Sequence, residues 1–528
     1  MGQRPGCHVS ARAREQPTFD PYFLPKYRWL NEAIERLIAD IAAQDPAAFR
    51  IRGADIRHAV ERYLFFLLFA DPRLHERYIA AKRGVALAEV DTLSPSARLL
   101  VPYMSCSATD VVAQKLSLKE RLLRRLHRLY GRATVDIVNV EDGPPKVLYL
   151  VIHRKFVRYL EPIAQRCGVP YAYLVIDDPE MDGFLAEARL PRVHICMTQK
   201  SRNRAKSEVM ILQHLFHLGV FEWWTIRFNA VRRALVDLRP DCIVVPEGNA
   251  DVYELVNQCA KTLNVRTLCV QQGWAPMVHP GFRNMTYTAM CVWGEGFADL
   301  LKPYNPHQRF VATGNHVILL REQGSLAERR AIVFFLQNAA HWMTAKVWQS
   351  TVRLIAWAAR SFPESEIRVR EHPGLPLTQS ERDTLVQAPN IRLMAPDQFR
   401  LNDVFDGCRV AVAINSTTIL EAAATGIVPL ILDVSGWGPY SPDIAASGAA
   451  IEVTDFDQAR LALLRLIKDD AYCGSFAEPL RQMRQRFFAR DREAALDAIV
   501  AEIDALQCTT IRRRNNIAAA VKSWVVNG

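Results

Sequence analysis

The stretch 408–433, CRVAVAINSTTILEAAATGIVPLILD, admits few folds. Residues 410–414 are apolar and rich in β-branched types, which marks a strand buried on both faces. Asn415, Ser416, Thr417 and Thr418 follow, residue types that favour helix N-caps. Glu421 stands about one turn further on, near the positive end of the helix dipole. Residues 419–425 are Ala-rich, Gly426 suits a helix C-terminus, and 428–432 is a second apolar run. A strand, a helix and a strand at this spacing make a right-handed parallel crossover. The N–H groups and hydroxyls at such a helix start point beyond the strand's carboxyl end, where an anion, usually a phosphate, is the natural guest. Any α/β domain can own such a unit, so the rest of the chain decides what it means.

At 528 residues the chain is too long for one ordinary core, and two large domains with an appendage are expected. No apolar run is long enough to cross a bilayer; the best, 63–70, is far too short. The first twenty residues lack a secretory apolar region, so a cytoplasmic protein is expected. The 11 cysteines are scattered without a CxxC pair or any metal-ligand spacing, so no metal is expected. A net charge of +10 suits an acidic partner, whether membrane surface, nucleic acid or anionic substrate.

Residues 25–132 read as helical, with helical spacing over 27–43 and 56–70. In 115–132, Leu118, Leu122, Leu126 and Leu129 line one face and basic residues crowd the rest. That pattern fits a solvated surface helix, the preferred reading, and also a helix lying on an anionic membrane surface. From about 145 strands and helices alternate. Strands are expected at 146–152, 171–176, 241–246, 265–270, 289–292 and 309–312, with helices at 155–167, 207–238 and 251–263 between them. After a joint near 323–329 the pattern restarts, with strands at 331–336, 366–370, 390–393, 410–414 and 428–432. The expected fold is α/β, two Rossmann-like doubly wound domains facing a cleft, after a helical N-terminal region. The expected boundaries are 1–144 for the helical region, 145–322 and 323–510 for the two domains, and 511–528 for a basic tail. Glu247, Gln272, His372 and the run Asn415 to Thr418 all fall at carboxyl ends of expected strands, where ligands of such sheets bind. Asp177-Asp178-Pro179-Glu180 reads as a capping turn rather than a metal motif, and Glu141-Asp142-Gly143 as a linker turn.

The segments VVPEGNADVYELVNQCAKTLNVRTLCVQQGW, VWGEGFADLL and VATGNHVI resemble the N-terminal domain of two-domain, GT-B-fold transferases of bacterial surface polysaccharides. VREHPG and NSTTILEAAATGIVPLILD resemble their nucleotide-binding domain. Capsular Kdo and sialic acid transferases and CDP-glycerol glycerophosphotransferases are the groups in question, and UDP-GlcNAc 2-epimerases share the layout. The resemblance implies a glycosyltransferase moving a sugar from a nucleotide-sugar donor to a glycan or lipid-linked glycan of the cell surface or capsule, inverting and without a metal or other cofactor. It gives His372 a role beside the donor phosphate, Ser416, Thr417 and Thr418 (with Asn415) the same phosphates, and Glu421 the ribose or sugar hydroxyls. Arg370, alternating with Arg368 along the strand before His372, adds charge there. Where relatives often carry Gln-His-Gly this chain has Gln271-Gln272-Gly273, and glutamine is no general base. Glu247 is therefore the first candidate base and His279 the second. The alternatives are a UDP-sugar 2-epimerase of the same fold and a non-catalytic scaffold of an assembly or export complex at the membrane. No basic–aromatic recognition module supports a nucleic-acid partner.

Overall fold

The computed structural model describes residues 23–44, 46–47, 49–69, 133–140, 143–197, 219–274, 280–318, 320, 325–326, 328–337, 345–372, 375–396, 398–414, 416–434 and 442–507. The chain divides into two compact units. One holds the described residues of 28–320 together with 484–507; the other holds 23–27 and those of 325–483.

The strands, in chain order, are β1 Arg50–Ile51, β2 Ala54–Asp55, β3 Ala133–Val138, β4 Val147–Leu150, β5 Tyr171–Ile176, β6 Arg192–Met197, β7 Cys242–Pro246, β8 Arg266–Val270, β9 Ala289–Val292 and β10 Phe310–Ala312. In the second unit they are β11 Ala331–Phe335, β12 Ile367–Arg370, β13 Ile391–Met394, β14 Cys408–Ala413, β15 Val428–Leu432 and β16 Ile451–Val453.

The first unit opens with two helices, Phe23–Gln44 from residue 28 onward and Arg57–Phe69, as the 3.6-residue spacing predicts. Leu30, Ala33, Ile34, Leu37 and Ile38 form the buried stripe of the earlier one. Between them β1 and β2 pair as a hairpin whose two loop residues, Arg52 and Gly53, both have positive φ, the primed turn that suits strand twist. The main sheet has eight strands in the order β10-β9-β8-β7-β4-β5-β6-β3. Counted from β4, seven of them run parallel in the order 7-6-5-4-1-2-3, the doubly wound arrangement with its reversal between β4 and β7. β4, β7 and β9 are buried throughout, which is why they read as continuous apolar runs.

Two features differ from the expectation. The sheet is not wholly parallel, because β3 pairs antiparallel with β6 at one edge. β3 and β6 carry Asp136, Arg192 and His194 within their apolar residues, so neither shows the continuous run that betrays a buried strand. Residues 484–507, expected in the second domain, pack instead on the first sheet. Their helix, 492–507, places Leu496, Ile499, Ile503 and Leu506 in the same core as Val147, Tyr149, Leu160 and Val244. Three glycines admit this segment. A Cβ on Gly294 would sit 2.5 Å from the Phe487 carbonyl carbon, one on Gly296 against the edge of the Phe487 ring, and one on Gly314 2.8 Å from the Ala495 Cβ. The glycines of VWGEGFADLL and VATGNHVI are thus explained by a chain crossing.

The second unit has a six-stranded, all-parallel sheet ordered β13-β12-β11-β14-β15-β16, which is 3-2-1-4-5-6 in its own strand count. Its reversal lies between β11 and β14. Helices Ala345–Ser361, Thr418–Ala424 and Phe456–Lys468 cover it. Two Rossmann-like α/β units in tandem, the fold class expected, are therefore present. The tract 115–132, the Glu141-Asp142 pair and the basic tail lie outside the described residues. Among the described residues no helix is long and apolar enough to cross a membrane.

Candidate active site

At the reversal of a doubly wound sheet neighbouring connections leave in opposite directions, the place where such sheets bind ligands. Glu247 and Ser416 follow strands that flank it, while Gln272 and His372 follow the next strands out.

In the second unit β14 delivers the polar run into this edge. Ser416, Thr417 and Thr418 are half-buried. Ser416 Oγ accepts the Thr418 N–H at 3.3 Å and lies 2.7 Å from Thr418 Oγ1. Thr417 occupies the cap position with helical backbone angles and makes no side-chain cap bond, so Ser416 does the capping from one residue earlier. Asn415 lies outside the described residues. Glu421 follows on the same short helix. Removal from water pushes its carboxyl up to about 7, and no cation among the described residues pairs with it. Near neutral pH such a group is half protonated, able both to donate and to accept, which suits hydroxyl ligands.

β12 ends at Arg370, with His372 just beyond. The Arg370 guanidinium is engaged by the backbone of the neighbouring strand end. Nη1 donates to the carbonyls of Ala395 at 2.8 Å and Met394 at 3.4 Å, and Nη2 to Pro396 at 3.4 Å. It clamps the end of the neighbouring strand, because backbone carbonyls at a strand end need donors as much as a phosphate does. Arg368 is likewise engaged, with Glu366 at 2.7 Å and the Asp406 carbonyl at 2.5 Å. His372 is half-buried, and its carbonyl accepts from Leu375 N–H at 3.1 Å. The loop carrying it is pinned by Glu371, a residue the sequence did not single out. Buried, it accepts from Leu377 N–H at 3.1 Å and from Arg382 at 2.6 Å.

In the first unit Glu247 directly follows β7, beside the reversal. Its φ of 57° is left-handed, which is uncommon for glutamate and strained. Its N–H still reaches the Val270 carbonyl at 2.8 Å. The carboxylate accepts from Asn249 Nδ2 at 3.1 Å and lies 3.8 Å from Lys155 Nζ. Lys155 comes from the start of helix Arg154–Cys167, the connection after β4, so the carboxylate and the ammonium meet across the reversal. Sequence reading missed Lys155, although the rule that drew attention to Glu247 applies to the end of β4 as well. Gly248, with φ of 72°, is held against Cys269 and Tyr287; a Cβ would approach Cys269 Sγ to 2.6 Å.

Of the two glutamines after β8, Gln271 is buried and structural. Its Oε1 accepts from Trp293 N–H at 3.0 Å, and its carbonyl accepts from Trp293 Nε1 at 2.8 Å and the Tyr159 hydroxyl at 2.5 Å. Gln272 is half-buried at the edge and makes no hydrogen bond with any described residue. His279 lies outside the described residues. His316, after β10, is buried 2.8 Å from the Tyr159 carbonyl, and loss of water pushes it down to about 4. It is a neutral packing group at physiological pH. Among the described residues no cluster of His, Cys, Asp and Glu is arranged to hold a metal.

No family model matches the chain, and no curated protein matches it. Solved structures with a similar layout include the UDP-GlcNAc 2-epimerase of Neisseria meningitidis bound to UDP-GlcNAc, 13% identical over 68% of this chain and 99% of that one, TM-score 0.45. The spinosyn rhamnosyltransferase SpnG complexed with thymidine diphosphate is 16% identical over 67% and 99%, TM-score 0.43. MurG of Acinetobacter baumannii is 13% identical over 68% and 100%, TM-score 0.43. Likeness of this degree carries nothing about what the chain binds or turns over.

Proposed function

We propose that the protein is a GT-B-type glycosyltransferase that moves a sugar from a nucleotide-sugar donor to a growing cell-surface or capsular glycan, on the cytoplasmic side of the membrane. The observation that carries this is the placement of two carboxylates. Glu247 directly follows β7, and Glu421 lies in the first turn of the helix that follows β14, so each sits past the carboxyl end of a strand that flanks the reversal of its own Rossmann-like sheet.

In this reading Glu247 takes the proton of the acceptor hydroxyl as that oxygen attacks the anomeric carbon, with inversion. Asn249 and Lys155 hold the carboxylate in place, and Lys155 keeps its charge partner close as the proton arrives. The glycosidic C–O bond to the nucleotide breaks and the electron pair leaves with the phosphate. Ser416, Thr417, Thr418 and His372 supply donors to the charge gathering there, and Glu421 meets hydroxyls of ribose or sugar. The reading invokes no metal. Arg370 supports the site from beside it, through the end of the neighbouring strand that it clamps.

A thermal-shift screen of the purified chain against CMP, CDP, UDP, GDP and their sugar conjugates tests the donor half. A ligand that binds only the folded state raises the midpoint by mass action. One selective nucleotide is expected. Conversion of a UDP-sugar with no acceptor present would replace transfer by 2-epimerisation. No shift with any nucleotide would leave the scaffold reading.

A further inference from the structure

The helical segment that precedes the first sheet reaches into the turn that carries Glu247. Helix Arg57–Phe69 sends Arg62, 1% exposed, into the protein beside β7. Its Nη1 lies 3.1 Å from Glu254 Oε2 and donates to the Gly248 carbonyl at 3.1 Å, while Nη2 donates to the Arg283 carbonyl at 3.4 Å. The Tyr287 hydroxyl donates to the same Gly248 carbonyl at 3.1 Å. Glu254, wholly buried, also accepts from Gln258 Nε2 at 2.6 Å, and Thr286 Oγ1 joins Gln258 at 3.0 Å.

A buried ion pair adds little net stability, because stripping both ions of water costs about what their attraction returns. What this pair does supply is geometry. Glu247 and Gly248 are successive left-handed residues, with φ of 57° and 72°. A strained turn persists only where its surroundings over-determine it. Here two buried donors from different parts of the chain fix one carbonyl. Nη1 alone serves both Glu254 and that carbonyl, and the planar guanidinium is held in this orientation by Nη2 on the Arg283 carbonyl, a third anchor that a lysine ammonium would not reproduce in the same plane.

We infer that Arg62 is a positioning residue: by holding the Gly248 carbonyl it keeps the Glu247–Gly248 turn left-handed and so aims the Glu247 carboxylate toward Lys155 and Asn249. The inference rests on the role proposed above for Glu247. It gives the N-terminal helical segment a part in the chemistry, with no contact to the reactants.

The test uses the full chain and the variants Arg62→Met, Arg62→Lys and Tyr287→Phe, with two readouts. Hydrogen exchange reports the amides of Glu247 and Gly248, which bond Val270 and Pro246 carbonyls at 2.8 and 2.6 Å. Nucleotide release from UDP-N-acetylglucosamine and from CMP-N-acetylneuraminic acid reports turnover. In Arg62→Met those two amides should exchange at least about tenfold faster while strands β4 and β8 keep their protection. A carboxylate displaced by about an ångström should cost kcat about 10–100-fold with donor KM within twofold. Arg62→Lys should recover part of both, and Tyr287→Phe should show a smaller loss of the same kind. The inference is overturned if local exchange stays at the wild-type rate in both Arg62 variants, or if the turn loosens while kcat stays within twofold. It is also overturned if protection falls evenly across the whole unit. A wild-type chain that turns over neither donor would count against the transferase reading, while the exchange arm would still decide what Arg62 holds.

Discussion

The crossing of residues 484–507 over the first unit makes a prediction that separates two glycines only two positions apart. Gly296 lies in helix Glu295–Leu301, where alanine is intrinsically better than glycine by about 0.5–1 kcal/mol. Its Cβ would meet Cε1, Cδ1 and Cζ of Phe487, the last at 2.8 Å and the others closer. Overpacking of this kind costs about 1–3 kcal/mol, so Gly296→Ala should destabilise by about 0.5–2 kcal/mol net. The obstacle is a side chain, and Phe487→Leu removes it. Combined with Phe487→Leu, Gly296→Ala should therefore cost nothing further or stabilise, a coupling of about 1–2 kcal/mol. At Gly294 the obstacles are backbone atoms, the Phe487 carbonyl carbon at 2.5 Å and the Arg486 oxygen at 2.6 Å. Gly294→Ala should cost about 2–3 kcal/mol, and Phe487→Leu should not relieve it. The assay is urea unfolding followed by tryptophan fluorescence, with Trp293 stacked on Phe488 at 5.5 Å as a reporter beside the crossing. Equal penalties at the two glycines, or additive behaviour of Gly296→Ala with Phe487→Leu, would refute the packing argument.

Glu247→Gln should lower turnover about 10²–10⁴-fold with donor binding unchanged; Glu247→Gly should lose the same activity yet raise stability by about 1 kcal/mol through relief of the left-handed backbone. Kinetics and urea midpoints on the two variants check this. Glu421 holds its proton more tightly folded than unfolded, its folded value about 7 against an ordinary 4.5. The stability it allows is full below about 4.5 and declines as pH rises to about 7, by roughly 1–3 kcal/mol. Glu421→Gln should flatten that decline in a series of thermal midpoints from about pH 4.5 to about 8.5, and an unchanged slope would remove the effect from Glu421. His372→Ala should weaken binding of the selective nucleotide about tenfold by titration calorimetry, and unchanged affinity would take His372 out of the donor site.

Most of the strands were legible because a strand buried on both faces must be apolar throughout, and 242–246, 331–335 and 428–432 are. The positions of Glu247 and Ser416 followed from such runs, since each lies just past the end of one. Edge strands escape this logic. β3 has one sheet neighbour and tolerates Asp136, so its pattern does not separate it from a helix end or a linker. Lys155 escaped for a different reason: its meaning depends on which strand adjoins β7, and β4 lies almost a hundred residues earlier. Arg370 was read from alternation alone, which fixes the face of a strand but not whether a ligand or a neighbouring carbonyl takes the charge. The docking of 484–507 depends on glycines nearly two hundred residues away, and no local period carries that information.

The order of synthesis gives that docking a cost in time. The last strand of the first sheet, β10, ends at Ala312, but the helix that completes its core begins about 180 residues later, at 492. At roughly 5–20 residues per second, a ribosome needs about 10–40 s to bring the two together. Throughout that interval Val147, Tyr149 and Val244 wait without Leu496, Ile499 and Ile503. The second unit, whose described residues apart from 23–27 lie between these two points, can finish folding first. A chain made from the amino end thus closes its leading unit last, and a nascent chain stalled near 483 should attract chaperones through the first unit's unfinished face.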